Sequence, residues 1–430
     1  MKVKQECSKL VKPIYVGDTP KKTQKIPLNV FDSVTEEAHI PLLYAYKPPT
    51  PSNAALELGL RKVLSEYREL AGRLDNDDKG RRVILLNDEG ARLVEASVSC
   101  TLDQAMLLKP SPALLGFHPC VDGVKELTLI QVTRFTCGSL VVGVSTNHVV
   151  ADGNHASQFF VAWGRACRGL EVNKRPQCGR NIFVPRNPPL FEFEHRGVEF
   201  KTGKKDCMVA MPGDLVMKKF HFAIEFLSII KSKASLSSDT NNHYSTFESL
   251  MAYIWRKVVR ACESDCYEYA RLRIALNGRT RLQPRVPNEY FGNLVLWTYP
   301  TAGVTELLTK PLSYSAKLIH EAVKKVNNSY FKSFIDFASY KVDEECLVPK
   351  LSFSGNTTCL NLNIDSWLGL PFCDLDFGGG KPHIFTPSYQ LWRGQIYVVP
   401  SIGGDGSIDV FLALNQKQMD SFKQICYLLD

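Results

Sequence analysis

The 430-residue sequence has no run approaching the roughly 20 consecutive apolar residues that a membrane-spanning helix needs. Its opening residues, Met1-Lys-Val-Lys-Gln-Glu-Cys7, lack the continuous apolar core of a secretory signal. Membrane insertion and secretion are therefore not expected, and the expected location is cytoplasmic. The thirteen cysteines stand singly, without a CxxC pair or a Cys/His ligand spacing. They read as reduced thiols, so neither a disulfide framework nor a zinc site is expected. No basic tract interleaves with stacking aromatics: the net charge of +8 is spread out, with local clusters at Lys21-Lys22, Lys204-Lys205 and Lys218-Lys219 that read as solvated surface. Nucleic acid is not an expected partner. Internal repeats and low-complexity blocks are also missing.

What is present is an ordinary globular composition. With 44% hydrophobic side chains over this length, the chain can bury a substantial core as two domains or one two-lobed unit. Leu56, Leu60, Val63, Leu64, Tyr67 and Leu74 recur at helical spacing, so one amphipathic helix is expected over Ala54 to Leu74, capped by Ser52 or Asn53. Glu126 to Phe135 and Leu140 to Val144 read as adjacent strands joined at Thr136-Cys-Gly138. A helix capped by Asp152 or Asn154 follows, running through Trp163 to near Gly169. From Asn173 to about Lys205 the chain is rich in Pro, Arg and Gly and loses its period, which places a crossover at 181–215 after a lobe at 1–180 and before one at 216–430. In the second lobe, Ser245-Thr-Phe-Glu248 is a capping box opening a helix. Apolar segments around Arg271, Leu294, Gln395 and Ser407 read as strands. Strands and helices mix without a regular βαβ rhythm, so the fold class is α+β, with no Rossmann domain.

The stretch Ser145-Thr-Asn-His148-Val-Val-Ala-Asp152-Gly153 carries the chemistry. It sets an imidazole, a carboxylate and a glycine between an apolar strand and an amphipathic helix. Imidazole takes up and returns a proton near neutral pH, and a strand end on a rigid scaffold presents it well, so an acid–base catalyst is expected. Gly153 is expected to let the backbone turn sharply. A metal-hydrolase reading of His148, Asp152 and His155 lacks a third well-spaced ligand, and no metal is expected.

Four blocks occur in one order: His148-Val-Val-Ala-Asp152-Gly153, Asn277-Gly-Arg279-Thr-Arg281 with Tyr290-Phe-Gly-Asn293, Asp365-Ser-Trp367, and Asp376-Phe-Gly-Gly-Gly380. Together they resemble the plant BAHD acyl-CoA-dependent acyltransferases, over essentially the whole chain. The last block carries Gly379 where that family commonly has Trp. This Gly-Gly-Gly form, with Glu194-His-Arg-Gly-Val-Glu-Phe200 and Tyr330-Phe-Lys-Ser-Phe-Ile-Asp-Phe337, is similar to the subgroup that acylates amines such as agmatine.

The resemblance implies two chloramphenicol-acetyltransferase-like lobes of mixed sheet flanked by helices, with a channel between them. It implies His148 as general base and Asp152 in a structural pairing, with Arg279 the candidate partner. The Trp367 indole would donate to the oxyanion. Asp376, Gly378 and Gly380 would lie away from the chemistry and shape the lobe interface and CoA channel, and Lys231, Lys233 and Ser245 would lie near the cofactor mouth, toward the CoA phosphates. Acyl-CoA enters as cosubstrate with no tightly bound cofactor, and a monomer is expected.

For the acceptor, Ser352 to Cys359 holds neither Arg nor Lys, which counts against a carboxylate such as shikimate. Asp365 and Asp374 suit an ammonium or guanidinium, and equally a solvated or internally paired state. Ile40, Leu42 and Tyr44 fall where the family lines its pocket, and the apolar Ile40 and Leu42 suit an aromatic ring. Asn363, where the agmatine subgroup often has Glu, weakens the choice of agmatine specifically. The expected reaction is p-coumaroyl or feruloyl transfer to agmatine or putrescine. Acylation of tyramine, tryptamine or an alcohol remains open, and a non-catalytic acyltransferase-like binding protein is a weaker reading.

Overall fold

The computed structural model describes residues 2–20, 23–105, 109–172, 176, 179, 182–204, 214–235, 243–263, 266–350 and 358–429. The chain forms two compact units, each assembled from separate stretches of sequence. The first comprises Met1–Asn187, Arg285–Leu294 and Gly369–Tyr389. The second comprises Pro188–Pro284, Val295–Leu368 and Gln390–Asp430. The contiguous division expected from the sequence thus differs in two places, and the Asp376–Gly380 block belongs to the first unit. The cause is strand pairing across the sequence: Ile384–Pro387 runs antiparallel to His39–Tyr46, with Phe385 opposite Tyr44.

The first unit is built on a six-stranded mixed sheet in the order Lys4–Val11, Ala91–Ser97, Thr128–Arg134, Leu140–Asn147, His39–Tyr46, Ile384–Pro387. Only Ala91–Ser97 and Thr128–Arg134 pair in parallel. Every residue of Leu140–Asn147 is buried, as befits a central strand covered on both faces. The helix Gly153–Cys167 packs beside Asn53–Glu66, with the Trp163 Nε1–H donating to the Leu56 carbonyl at 2.9 Å. The two helices approach closely at Gly59, where a Cβ would sit 2.9 Å from the Cys167 backbone nitrogen.

The helix expected to reach Leu74 ends at Glu66, with Ser52 as its cap. Tyr67 leaves helical geometry, the Arg68 guanidinium turns to Asp88 and the Leu86 carbonyl, and Arg73–Asn76 is a strand paired with Arg82–Leu86. At Gly72 a Cβ would lie 2.2 Å from the Leu85 carbonyl oxygen, so a side chain there could not accompany this close approach.

The second unit carries a seven-stranded sheet. Leu215–Phe222, Ile408–Asn415, Gln395–Pro400, Cys359–Ser366, Tyr269–Asn277 and Val295–Thr298 follow in order, and Thr301–Gly303 also pairs with Tyr269–Asn277. Tyr269–Asn277, Cys359–Ser366 and Gln395–Pro400 run parallel. Alternate residues Ala270, Leu272, Ile274 and Leu276 are buried, the period-two pattern of one core-facing side. The helix Thr246–Ala261 opens with the expected capping box: the Glu248 amide donates to Ser245 Oγ, and the Ser245 amide donates to Glu248 Oε2. Among the described residues no helix is long and apolar enough to cross a membrane.

Candidate active site

His148 follows directly on the buried strand Leu140–Asn147. The Asn147 side chain accepts from the Val149 amide at 3.1 Å and its carbonyl accepts from the Val150 amide at 3.1 Å, turning the chain away from the sheet. The His148 amide donates to the Ala38 carbonyl at 2.8 Å, so the backbone of this residue is fixed while its ring is half-buried. Nδ1 is sealed from solvent, and among the described residues no group hydrogen-bonds either ring nitrogen. A neutral imidazole offers one bare nitrogen as a proton acceptor, which is what a general base requires.

Asp152 is 2% exposed and directs its oxygens at backbone amides. Oδ1 accepts from the His155 amide at 3.0 Å, capping the helix Gly153–Cys167, and Oδ2 accepts from the Leu294 amide at 3.2 Å. A carboxylate so placed satisfies an orphan donor and complements the positive end of the helix; it does not orient the His148 ring as a triad aspartate would. The His155 ring packs edge-on to Phe291 at 4.0 Å and against Tyr67 at 5.3 Å, so His148, Asp152 and His155 do not converge as metal ligands. Gly153 differs from expectation in its reason. It is the first residue of the helix and does not occupy the left-handed region. Instead, a Cβ would stand 3.0 Å from Leu370 Cδ1, so the glycine serves close packing.

Ile40, Leu42 and Tyr44 share one face of His39–Tyr46, opposite Thr146, Val144 and Val142 of the strand that leads to His148. Ile40 is nearest the His148 end and half-buried, whereas Tyr44 is fully buried against Phe385 and Phe160. The Tyr44 hydroxyl makes no hydrogen bond among the described residues, and burial pushes its pKa well up. Asp374 is exposed and pairs with Lys381 at 2.8 Å. Asp376 closes its own turn by accepting from the Gly378 and Gly380 amides, and pairs with Arg168 at 3.0 Å. Gly378 and Gly380 have φ of 110° and 99°, a region that favours glycine. At Gly379 a Cβ would meet the Pro49 carbonyl oxygen at 2.3 Å. The missing tryptophan therefore coincides with a backbone approach that excludes any side chain.

In the second unit, Asp365 accepts from Gln395 Nε2 at 2.8 Å. The Trp367 ring lies 5.1 Å from that of Tyr397, and the residue is 8% exposed. Arg279 is buried, with its amide and guanidinium both donating to Asn277 Oδ1. Lys231 is exposed and Lys233 half-buried on the helix Ile224–Ser235, and the Ser245 hydroxyl is engaged in its capping box. Residues 351–357 of the acceptor segment, residues 236–242, and Lys21, Lys22 and Lys205 lie outside the described residues. Sequence reading assigned no role to Asp32 or Asn293, although both are 1% exposed and Asn293 donates to the His148 carbonyl. The Asn29-x-x-Asp32 capping pattern was the available signal.

A family model described as "Transferase family" matches residues 1–429. Agmatine coumaroyltransferase-1 of Hordeum vulgare is 45% identical, covering 100% of both chains. Putrescine hydroxycinnamoyltransferase 3 of Oryza sativa subsp. japonica is 42% identical, also covering 100% of both. The fold is similar to the crystal structure of vinorine synthase, with a TM-score of 0.76 at 22% identity over 100% of this chain and 99% of that one.

Proposed function

The chain belongs to the Transferase family, the BAHD acyl-CoA-dependent acyltransferases, and from that premise we propose that it moves a hydroxycinnamoyl group from CoA to the primary amine of agmatine or putrescine. The enzyme is an acyl-CoA-dependent N-acyltransferase with acyl-CoA as cosubstrate. The observation that carries the acceptor class is the full-length similarity to the two amine hydroxycinnamoyltransferases.

In this reading the amine nitrogen attacks the thioester carbonyl directly. A primary amine with a pKa of about 10 is mostly protonated at neutral pH, so it sheds one proton before attack and a second afterwards. His148 takes the second proton as the C–N bond forms and returns it to the departing CoA sulfur, which leaves as a thiol. The bare ring nitrogen and fixed backbone of His148 support this role. The acceptor is itself the nucleophile, and no acyl-enzyme is needed. Ile40 and Leu42 are the proposed apolar contacts, with Tyr44 packing behind them. Asp365 and Asp374 are the proposed carboxylates for the distal cation, Asp374 by exchanging Lys381. Trp367 is the proposed oxyanion donor, Arg279 the proposed partner of Asp152, and Lys231, Lys233 and Ser245 the proposed phosphate contacts of CoA. A cytoplasmic monomer is part of the same proposal.

The test is competition: purified protein receives a mixed pool of acyl-CoAs with agmatine, putrescine, tyramine, tryptamine and alcohol acceptors, and products are identified by mass. Amides of agmatine or putrescine with p-coumarate or ferulate are expected to dominate. Exclusive ester formation, or preference for tyramine or tryptamine, would overturn the assignment of acceptor.

A further inference from the structure

The pentapeptide His148–Asp152 is held at both ends by two consecutive residues of a distant segment. Leu294 donates its amide to Asp152 Oδ2 at 3.2 Å. Asn293 directs its side-chain nitrogen at three oxygens: the His148 carbonyl at 2.9 Å, the Val149 carbonyl at 3.0 Å and Asp32 Oδ1 at 2.9 Å. An amide nitrogen has two hydrogens for these three acceptors, so one hydrogen is shared. Turned the other way, the amide would face three oxygens with its own, which fixes its orientation.

Asp32 is what holds Asn293 in place. Its Oδ1 also accepts from the Asn293 backbone amide at 3.0 Å, while its Oδ2 accepts from the Asn29 amide at 2.8 Å in the capping box of Val30–Ser33. Asn29 adds a hydrogen bond from Nδ2 to the Tyr290 hydroxyl at 2.6 Å. Asn29, Asp32, Tyr290 and Asn293 are all buried, so water cannot substitute for a lost partner without rearrangement.

We infer that Asn293, anchored by the Asp32 carboxylate, is a positioning residue for His148, fixing the peptide unit after it and thereby the direction from which the ring meets its substrate. This rests on the reading of His148 as the base. Asn293 bonds the backbone of His148 and not its ring. Its effect passes through the His148 carbonyl, as expected of a shell that sustains catalytic geometry to a fraction of an ångström.

A donor–acceptor swap separates positioning from mere stability. Asn293→Asp leaves the shape unchanged but places a carboxylate against Asp32 and the two carbonyls, so both melting temperature and kcat are expected to fall, kcat by about 100-fold, with KM for acyl-CoA nearly unchanged. Adding Asp32→Asn lets the side-chain amide at position 32 donate to the new carboxylate, at the cost of the acceptor for the backbone amide of residue 293, and still gives the His148 and Val149 carbonyls no donor. The double variant is expected to recover part of the melting temperature lost in Asn293→Asp while kcat stays as low as in the single variant. Recovery of kcat in step with melting temperature would overturn the inference, as would unchanged kcat in Asn293→Asp. His148→Ala, measured alongside, tells the two readings apart: if it retains full turnover, the assignment of the base fails, and if it is inactive while Asn293→Asp is normal, the positioning claim alone fails.

Discussion

Replacing Asp152 tests whether this carboxylate supports the fold or orients the imidazole. Asp152→Ala removes the cap on the His155 amide, a loss of about 1 kcal/mol, and leaves the buried Leu294 amide unpaired, a further loss of about 1–3 kcal/mol. These two backbone contacts, at 3.0 Å and 3.2 Å, account for about 2–4 kcal/mol of the expected destabilisation. Asp152→Asn keeps one acceptor and should lose less. Equilibrium urea unfolding reads the stability, and steady-state kinetics under conditions where each variant remains folded reads the chemistry. Because neither Asp152 oxygen serves His148, kcat should fall by no more than about 100-fold, from displacement of the loop, and the acidic limb of the pH–rate profile should stay in place. A fall of about 10,000-fold at unchanged stability, the behaviour of a triad aspartate, would refute the reasoning.

Three other outcomes follow from the geometry. Gly379→Trp places a Cβ 2.3 Å from the Pro49 carbonyl oxygen and should destabilise the protein by about 1–3 kcal/mol; a thermal melt at or above the wild-type value would contradict this. Burial holds the His118 pKa down at about 4, so between pH 6.5 and 4 the unfolded chain binds the extra proton and stability falls as pH falls, by up to about 3 kcal/mol. Urea midpoints at pH 7 and 4.5 should therefore converge in His118→Gln relative to wild type, and an equal pH dependence in both would contradict it. Ser245→Ala removes a capping hydroxyl and should cost about 1 kcal/mol, while the proposed phosphate contact adds a rise in KM for acyl-CoA; an unchanged KM would restrict Ser245 to its cap.

How much of this was legible in sequence depended on the range of the interaction. The strand before His148, the cap at Asp152 and the box at Ser245 and Glu248 all form within a few residues, and local patterns specify them. The overlong helix failed because Tyr67 and Leu74 continue an apolar spacing that tertiary contacts of Arg68 and Gly72 interrupt. The unit boundaries were hidden because Ile384–Pro387 pairs with a strand more than 300 residues earlier, and no local composition announces such pairing. Asn293 stood inside a recognised block, yet its partners Asp32 and His148 lie 261 and 145 residues away. The sequence showed the residue and could not show what it holds.

The most direct test of the central claim is the rate of amide formation from p-coumaroyl-CoA and agmatine by His148→Ala, with CoA release and product mass followed together across pH. If His148 carries the proton, the wild-type protein releases one CoA per amide. The variant should then be slower by about 100- to 10,000-fold. A variant that forms the amide at the wild-type rate, with the same pH profile, would contradict the account.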